Sequence, residues 1–234
     1  MSKAKSVQLN CFSPPIMLAT LIFEAVAALY IVWRYRMSVL ARLIVTVLAA
    51  LAVFQLSEYY VCTGYGGHAI TWSRLGYVAI SMLPPLGLHI LHILGERRQR
   101  TLVMTAYATM AGFIAYFLLY ENAFTGYQCT GNYVIFQIGH WPAIAYGVYY
   151  YGWLFAALSL GLQWLKDLKK LRNKIAAKRV QAMGALLLGY MIFLLPTAIA
   201  NTVAPSTRQG IPSIMCGFAV LFAFILVAYI APRQ

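Results

Sequence analysis

Apolar residues occupy the chain in long unbroken runs, and they do not alternate with polar residues over the roughly ten positions that a membrane-barrel strand needs. Runs long enough to cross a hydrocarbon core, about 20 residues at about 1.5 Å of rise each, fall at roughly 14–34, 39–62, 72–95, 101–121, 143–165, 180–203 and 212–231. Charge, proline or glycine bounds each run. Backbone polar groups in lipid have to be satisfied within their own segment, so all seven are expected to be helices. The pattern predicts an all-α, polytopic seven-transmembrane-helix bundle in which residues 1–234 form a single membrane domain. Composition sharpens this: 62% hydrophobic against 10% charged departs from the roughly one-half and one-quarter of soluble domains. It also excludes disorder, collagen and a disulfide mini-protein.

A formal net charge of +13 raises the question of nucleic acid, and the distribution of the charge answers it. Of the 18 basic residues, 14 lie on alternate connections and the tail: Arg34, Arg36 and Arg42; Arg97, Arg98 and Arg100; Lys166, Lys169, Lys170, Arg172, Lys174, Lys178 and Arg179; and Arg233. The other side keeps Lys3, Lys5, Arg74 and Arg208. By the positive-inside rule the amino terminus faces outside and the carboxyl terminus the cytoplasm. A multi-pass protein of a bacterial inner membrane is expected, with the lipid bilayer as partner and no nucleic acid. Met1–Pro15 runs into a span without a small-residue cleavage site, so no removable signal peptide is read. No soluble catalytic module is expected at either end.

Two outer connections are long enough to carry structure. Cys62–His68 is glycine-rich and turn-like. In 122–142, aromatic and β-branched residues flank Thr130-Gly131-Asn132, which predicts a short hairpin capping the bundle. Each loop has one cysteine on the side where oxidation is permitted, so a Cys62–Cys129 disulfide is expected. Cys11 and Cys216 lie at similar depth; a second bridge and a packed core thiol both fit Cys216. The same face gathers Glu58, Glu121, His68, Trp72, His140 and Trp141. An outward-open pocket for a cation, proton or small polar ligand fits this set, and so does an aromatic belt at the membrane surface. No zinc-ligand spacing is present, and no metal or cofactor is expected.

Within the spans, Glu24 stands out. It lies ten residues into the first run, about 15 Å from the outer end, where a carboxylate normally turns inward to a partner. Gln55, Ser57, Tyr77, Ser81, Tyr190 and Asn201 have the right polarity, and Glu24, Gln55, Glu58, Tyr77, Glu121 and Asn201 form the candidate ligand or ion set. Pro84-Pro85 in span 3 and Pro196 in span 6 predict kinks. His89 and His92 share one face, but no second helix carries a histidine at matching depth for haem. Span 7 has no lysine to anchor retinal. An intramembrane hydrolase needs base, nucleophile or metal at one depth, and the five acidic residues and four histidines are scattered between the faces. No catalytic residue is assigned.

On the inner side, Leu165, Leu168, Leu171, Ile175 and Val180 recur at helical spacing between Lys166, Lys169, Lys170, Arg172, Lys174, Lys178 and Arg179. Spans 5 and 6 are expected to continue as a helical hairpin that docks either lipid headgroups or a partner. Glu58, the segment Trp72-Ser73-Arg74-Leu75-Gly76-Tyr77 and Leu83-Pro84-Pro85 resemble the amino-terminal seven-helix sensor region of bacterial histidine kinases. The resemblance implies a sensing or scaffolding module without the kinase domain. The expected function is a receptor-like or accessory module that binds a small ligand, lipid or membrane protein from outside and couples through the basic hairpin to a cytoplasmic signalling partner. Two alternatives stand beside it: a proton- or cation-coupled transporter or channel using Glu24, and a structural subunit presenting Tyr146, Tyr149, Tyr150, Tyr151 and Trp153 to a neighbour.

Overall fold

The computed structural model describes residues 14–64, 67–97, 99–129, 134–171, 174–203 and 211–233. Eight helices and one β-hairpin account for most of them: α1 (Pro14–Arg34), α2 (Val39–Thr63), α3 (Ala69–Ser81), α4 (Leu83–Leu94), α5 (Arg100–Leu119), β1 (Phe124–Cys129), β2 (Val134–Ile138), α6 (His140–Lys170), α7 (Lys174–Val203) and α8 (Ile211–Ile225). Taking α3 and α4 together as Ala69–Leu94, seven helices are long and apolar enough to cross a membrane.

Local chemistry explains several boundaries. Ser38 Oγ accepts the Ala41 N–H at 3.1 Å and starts α2. Gly64 ends it in the left-handed region, φ 72, where its N–H reaches the Tyr60 carbonyl and a side chain would be strained. The break in span 3 falls at Met82, one residue before α4 begins, and not at the prolines themselves. Pro84 and Pro85 sit in the first turn of α4, where their missing N–H groups would have no partner in the helix anyway. In contrast, α7 continues through Pro196, with the neighbouring Thr197 hydroxyl bonded to the Phe193 carbonyl at 2.7 Å.

Helix α6 is longer than its apolar stretch. Hydropathy stops at the first charges, but the helix continues with Lys166, Lys169 and Lys170 on exposed positions and Leu168 buried. Its 31 residues span about 46 Å, more than the ~30 Å of a hydrocarbon core. It ends at Lys170 and α7 begins at Lys174, which gives the helical hairpin expected of spans 5 and 6.

The central helix is α2, which packs on α1, α3, α4 and α8. Leu48, Leu51 and Phe54 from α2 are fully buried with Leu88, Ile90 and Leu91 from α4 and Leu186 from α7. The bundle has two distinct ends, named here for what covers them: the hairpin end and the basic end.

Candidate functional site

The β-hairpin forms as the aromatic and β-branched pattern predicts, in antiparallel register with Tyr127 opposite Phe136 and Cys129 opposite Val134. Burial divides by strand and does not alternate: Val134, Ile135 and Phe136 of β2 are buried, whereas in β1 Phe124 is buried and Thr125, Tyr127 and Gln128 are exposed. Three anchors hold it down. The Cys62–Cys129 disulfide ties β1 to the end of α2, with Cα atoms 5.7 Å apart. The Val134 N–H donates to Ser213 Oγ of α8 at 3.1 Å. Below the sheet, Tyr77 meets Phe117, Phe124, Phe136 and Tyr146 at centroid distances of 4.9, 5.1, 5.5 and 5.3 Å. Beside it, Arg74 donates to the carbonyls of Leu118, Tyr120 and Glu121 at 3.2, 3.3 and 2.9 Å, capping the end of α5 with a cation.

Under this roof lies a cavity of about 490 Å³. Tyr77 and Ile80 of α3, Tyr146, Tyr150 and Tyr151 of α6, Met215 of α8, and β2 from Ile135 to Ile138 line it. No charged side chain among the described residues does so. Several of the tyrosines are already placed by hydrogen bonds. Tyr149 behind the wall donates to the Ser81 carbonyl at 2.6 Å, Tyr146 OH and Ser81 Oγ are 3.2 Å apart, and Tyr151 donates to Met215 Sδ at 3.6 Å. Deeper in the bundle a second cavity of about 30 Å³ is lined by Gly87, Tyr190 and Cys216 among others, and Tyr150 and Met215 form walls of both cavities. At Gly87 the Tyr190 hydroxyl occupies the position of a Cβ, so any larger residue there requires Tyr190 to shift.

Glu24, Gln55 and Glu58 are at most 1% exposed. Glu24 and Glu58 lie within electrostatic reach of each other, and both reach Cys216. Ser213 stands beside Glu58, but its oxygen receives the Val134 N–H and makes no well-formed bond to the carboxylate. None of the polar side-chain atoms of Glu24, Gln55 or Glu58 has a hydrogen-bond partner among the described residues.

The structure gathers some of the predicted site residues and separates others. Glu24, Gln55 and Glu58 are all in the core, and Tyr77 sits between Glu58 and the larger cavity. Glu121, His68, His140 and Trp141 are exposed, Trp141 to 77%, and line neither cavity. Trp72 stacks on Tyr60 with centroids 4.3 Å apart, and His140 turns its ring to Trp141. These residues form a belt around the hairpin end. They do not converge on a pocket: Glu121, His68, His140 and Trp141 are exposed, and Trp72 packs half-buried against the core. Asn201 and Arg172 lie outside the described residues as far as their side chains are concerned, as does that of Lys174. Cys216 is a buried free thiol, and Cys11 is outside the described residues.

At the other end, Lys166, Lys169, Lys170 and Lys178 are exposed, as are Leu171 and Ile175. Arg179 is not free for docking: it pairs with Glu96, and Arg97 pairs with Asp167 at 2.6 Å. The Arg179 guanidinium holds the Glu96 carboxyl below the usual carboxylate range. His89 and His92 diverge, His89 Nδ1 lying 3.1 Å from the Tyr107 hydroxyl and His92 meeting the edge of Trp164.

The residues that build the larger cavity, apart from Tyr77, were not in the predicted set. The tyrosines between 146 and 151 were their signal, but composition leaves open whether such a helix packs internally or faces a neighbour. In the fold Tyr146 and Tyr149 are buried, and Tyr150 and Tyr151 half-buried. No family model, no curated protein and no solved structure matches the chain.

Proposed function

We propose that the chain is a receptor-like protein of a bacterial inner membrane that binds a small uncharged ligand in the tyrosine-lined cavity at its outward-facing hairpin end. The cavity carries this reading. It has the volume of a small-molecule site, apolar walls and a few placed hydroxyl groups. Its lining offers no counter-charge among the described residues, which favours a neutral, partly aromatic molecule that can stack on tyrosine and exchange hydrogen bonds with its hydroxyl. The orientation comes from the basic residues, which favour the cytoplasm for the opposite end. There the exposed lysines and the apolar tip around Leu171 and Ile175 suit anionic headgroups or a signalling partner that responds to cavity occupancy.

Gly147 gives a clean test. It lines the cavity, and a Cβ built on it meets nothing within 4 Å, so a larger side chain enters the cavity without displacing a helix. Native mass spectrometry of the protein released from mild detergent should find a small neutral molecule on the wild type. Gly147→Phe should retain its fold and lose that molecule by roughly tenfold or more. Equal occupancy in both proteins would remove the cavity from the binding function.

A further inference from the structure

Glu24 of α1 and Glu58 of α2 face each other inside the bundle, and Gln55 lies one helical turn from Glu58 on the same face. All six of their side-chain polar atoms are buried without a hydrogen-bond partner among the described residues. The groups that face the pair from the helices packed around it are Tyr77 of α3, and Ser213 and Cys216 of α8. None of them is a cation, and no lysine, arginine or histidine is buried among the described residues. Two ionised carboxylates in such surroundings would repel each other, with no cation among the described residues buried beside them to offset the loss of hydration. No group of three or more His, Cys, Asp or Glu side chains among the described residues is placed to hold a metal ion instead.

We propose that Glu24 and Glu58 form a proton-binding pair, in which at least one carboxyl stays protonated at neutral pH and exchanges its proton with the hairpin end. A protonated carboxyl becomes a donor, so it can bond its neighbour or the Gln55 amide and satisfy several of the orphaned atoms together. The smaller cavity offers the exchange route. Cys216 is in its wall, its volume of about 30 Å³ has room for one water, and Tyr150 and Met215 separate it from the larger cavity. This inference does not rest on the identity of any ligand in the larger cavity.

The test is infrared spectroscopy of the purified full chain in a detergent free of ester carbonyls, titrated in pH. The chain has five acidic side chains, and Glu96, Glu121 and Asp167 are exposed, so a protonated-carboxyl band at neutral pH belongs to the buried pair. The expected band corresponds to at least one carboxyl per molecule, shifts in deuterated water and disappears as the pH is raised. Glu24→Gln and Glu58→Gln should each remove intensity. Gln55→Leu keeps both carboxyls and should shift the band's frequency, which provides a reading if either glutamine variant fails to fold. The proposal is overturned if the wild type has no such band at neutral pH, if the band ignores all three substitutions, or if added sodium removes it at fixed pH.

Discussion

The two ends of the bundle are closed by different physics. At the hairpin end a disulfide, a short antiparallel sheet and a cluster of buried aromatic rings meet over a cavity. At the basic end, exposed ion pairs link the turn after α4 to α6 and α7: Arg97 with Asp167, and Arg179 with Glu96. Burial sets the difference in strength. Rings removed from water contribute their whole area and their mutual geometry, whereas exposed ion pairs are screened and contribute little each. The proposed function places recognition at the end closed by the disulfide and the rings, and coupling at the end closed by ion pairs.

The comparison can be broken most decisively through Phe117. It is fully buried and touches Tyr77, Phe124 and Tyr146. Phe117→Ala should destabilise the protein by about 3–5 kcal/mol, measured by denaturant unfolding in detergent. A loss near that of a surface substitution would mean that the hairpin end is not held by its aromatic cluster. Next in size, Cys62→Ser should cost about 2–4 kcal/mol. Hydrogen exchange should rise across Phe124–Ile138 while the turn after α4 keeps its protection. Equal loosening at both ends would show that they are one cooperative unit.

The smallest effect belongs to the basic end. Glu96 titrates lower in the folded chain than in the unfolded one because Arg179 pairs with it. Its contribution is therefore complete above the unfolded carboxylate value and is lost as the pH falls through the lowered folded value. Glu96→Gln should cost about 0.2–1 kcal/mol near neutral pH and flatten the acid limb of a thermal-stability profile. A larger loss would give the basic end a structural weight that exposed pairs do not ordinarily carry.

Much of the fold could be read in the sequence because its causes are local or one-dimensional. Seven apolar runs become seven helices long enough to cross a membrane. The aromatic and β-branched stretch around Thr130-Gly131-Asn132 becomes a hairpin, and Cys62 finds Cys129. Glu24 was conspicuous by depth alone. What escaped was convergence. His68, Glu121, His140 and Trp141 share an end of the chain's path with Glu58 but not a direction, so they remain at the surface.

The amino-acid sequence by itself determined the number of helices, the uneven division of charge and the cost of placing a carboxylate inside an apolar run, because each depends only on residue type and spacing. The tertiary structure decided that Glu24 lies within electrostatic reach of a second carboxylate, Glu58, that tyrosines of α6 line a cavity, and that Arg179 is engaged by Glu96. Those outcomes depend on how helices rotate against one another. Rotation is fixed by the packing of all their faces together, with glycines such as Gly87 allowing the closest approaches.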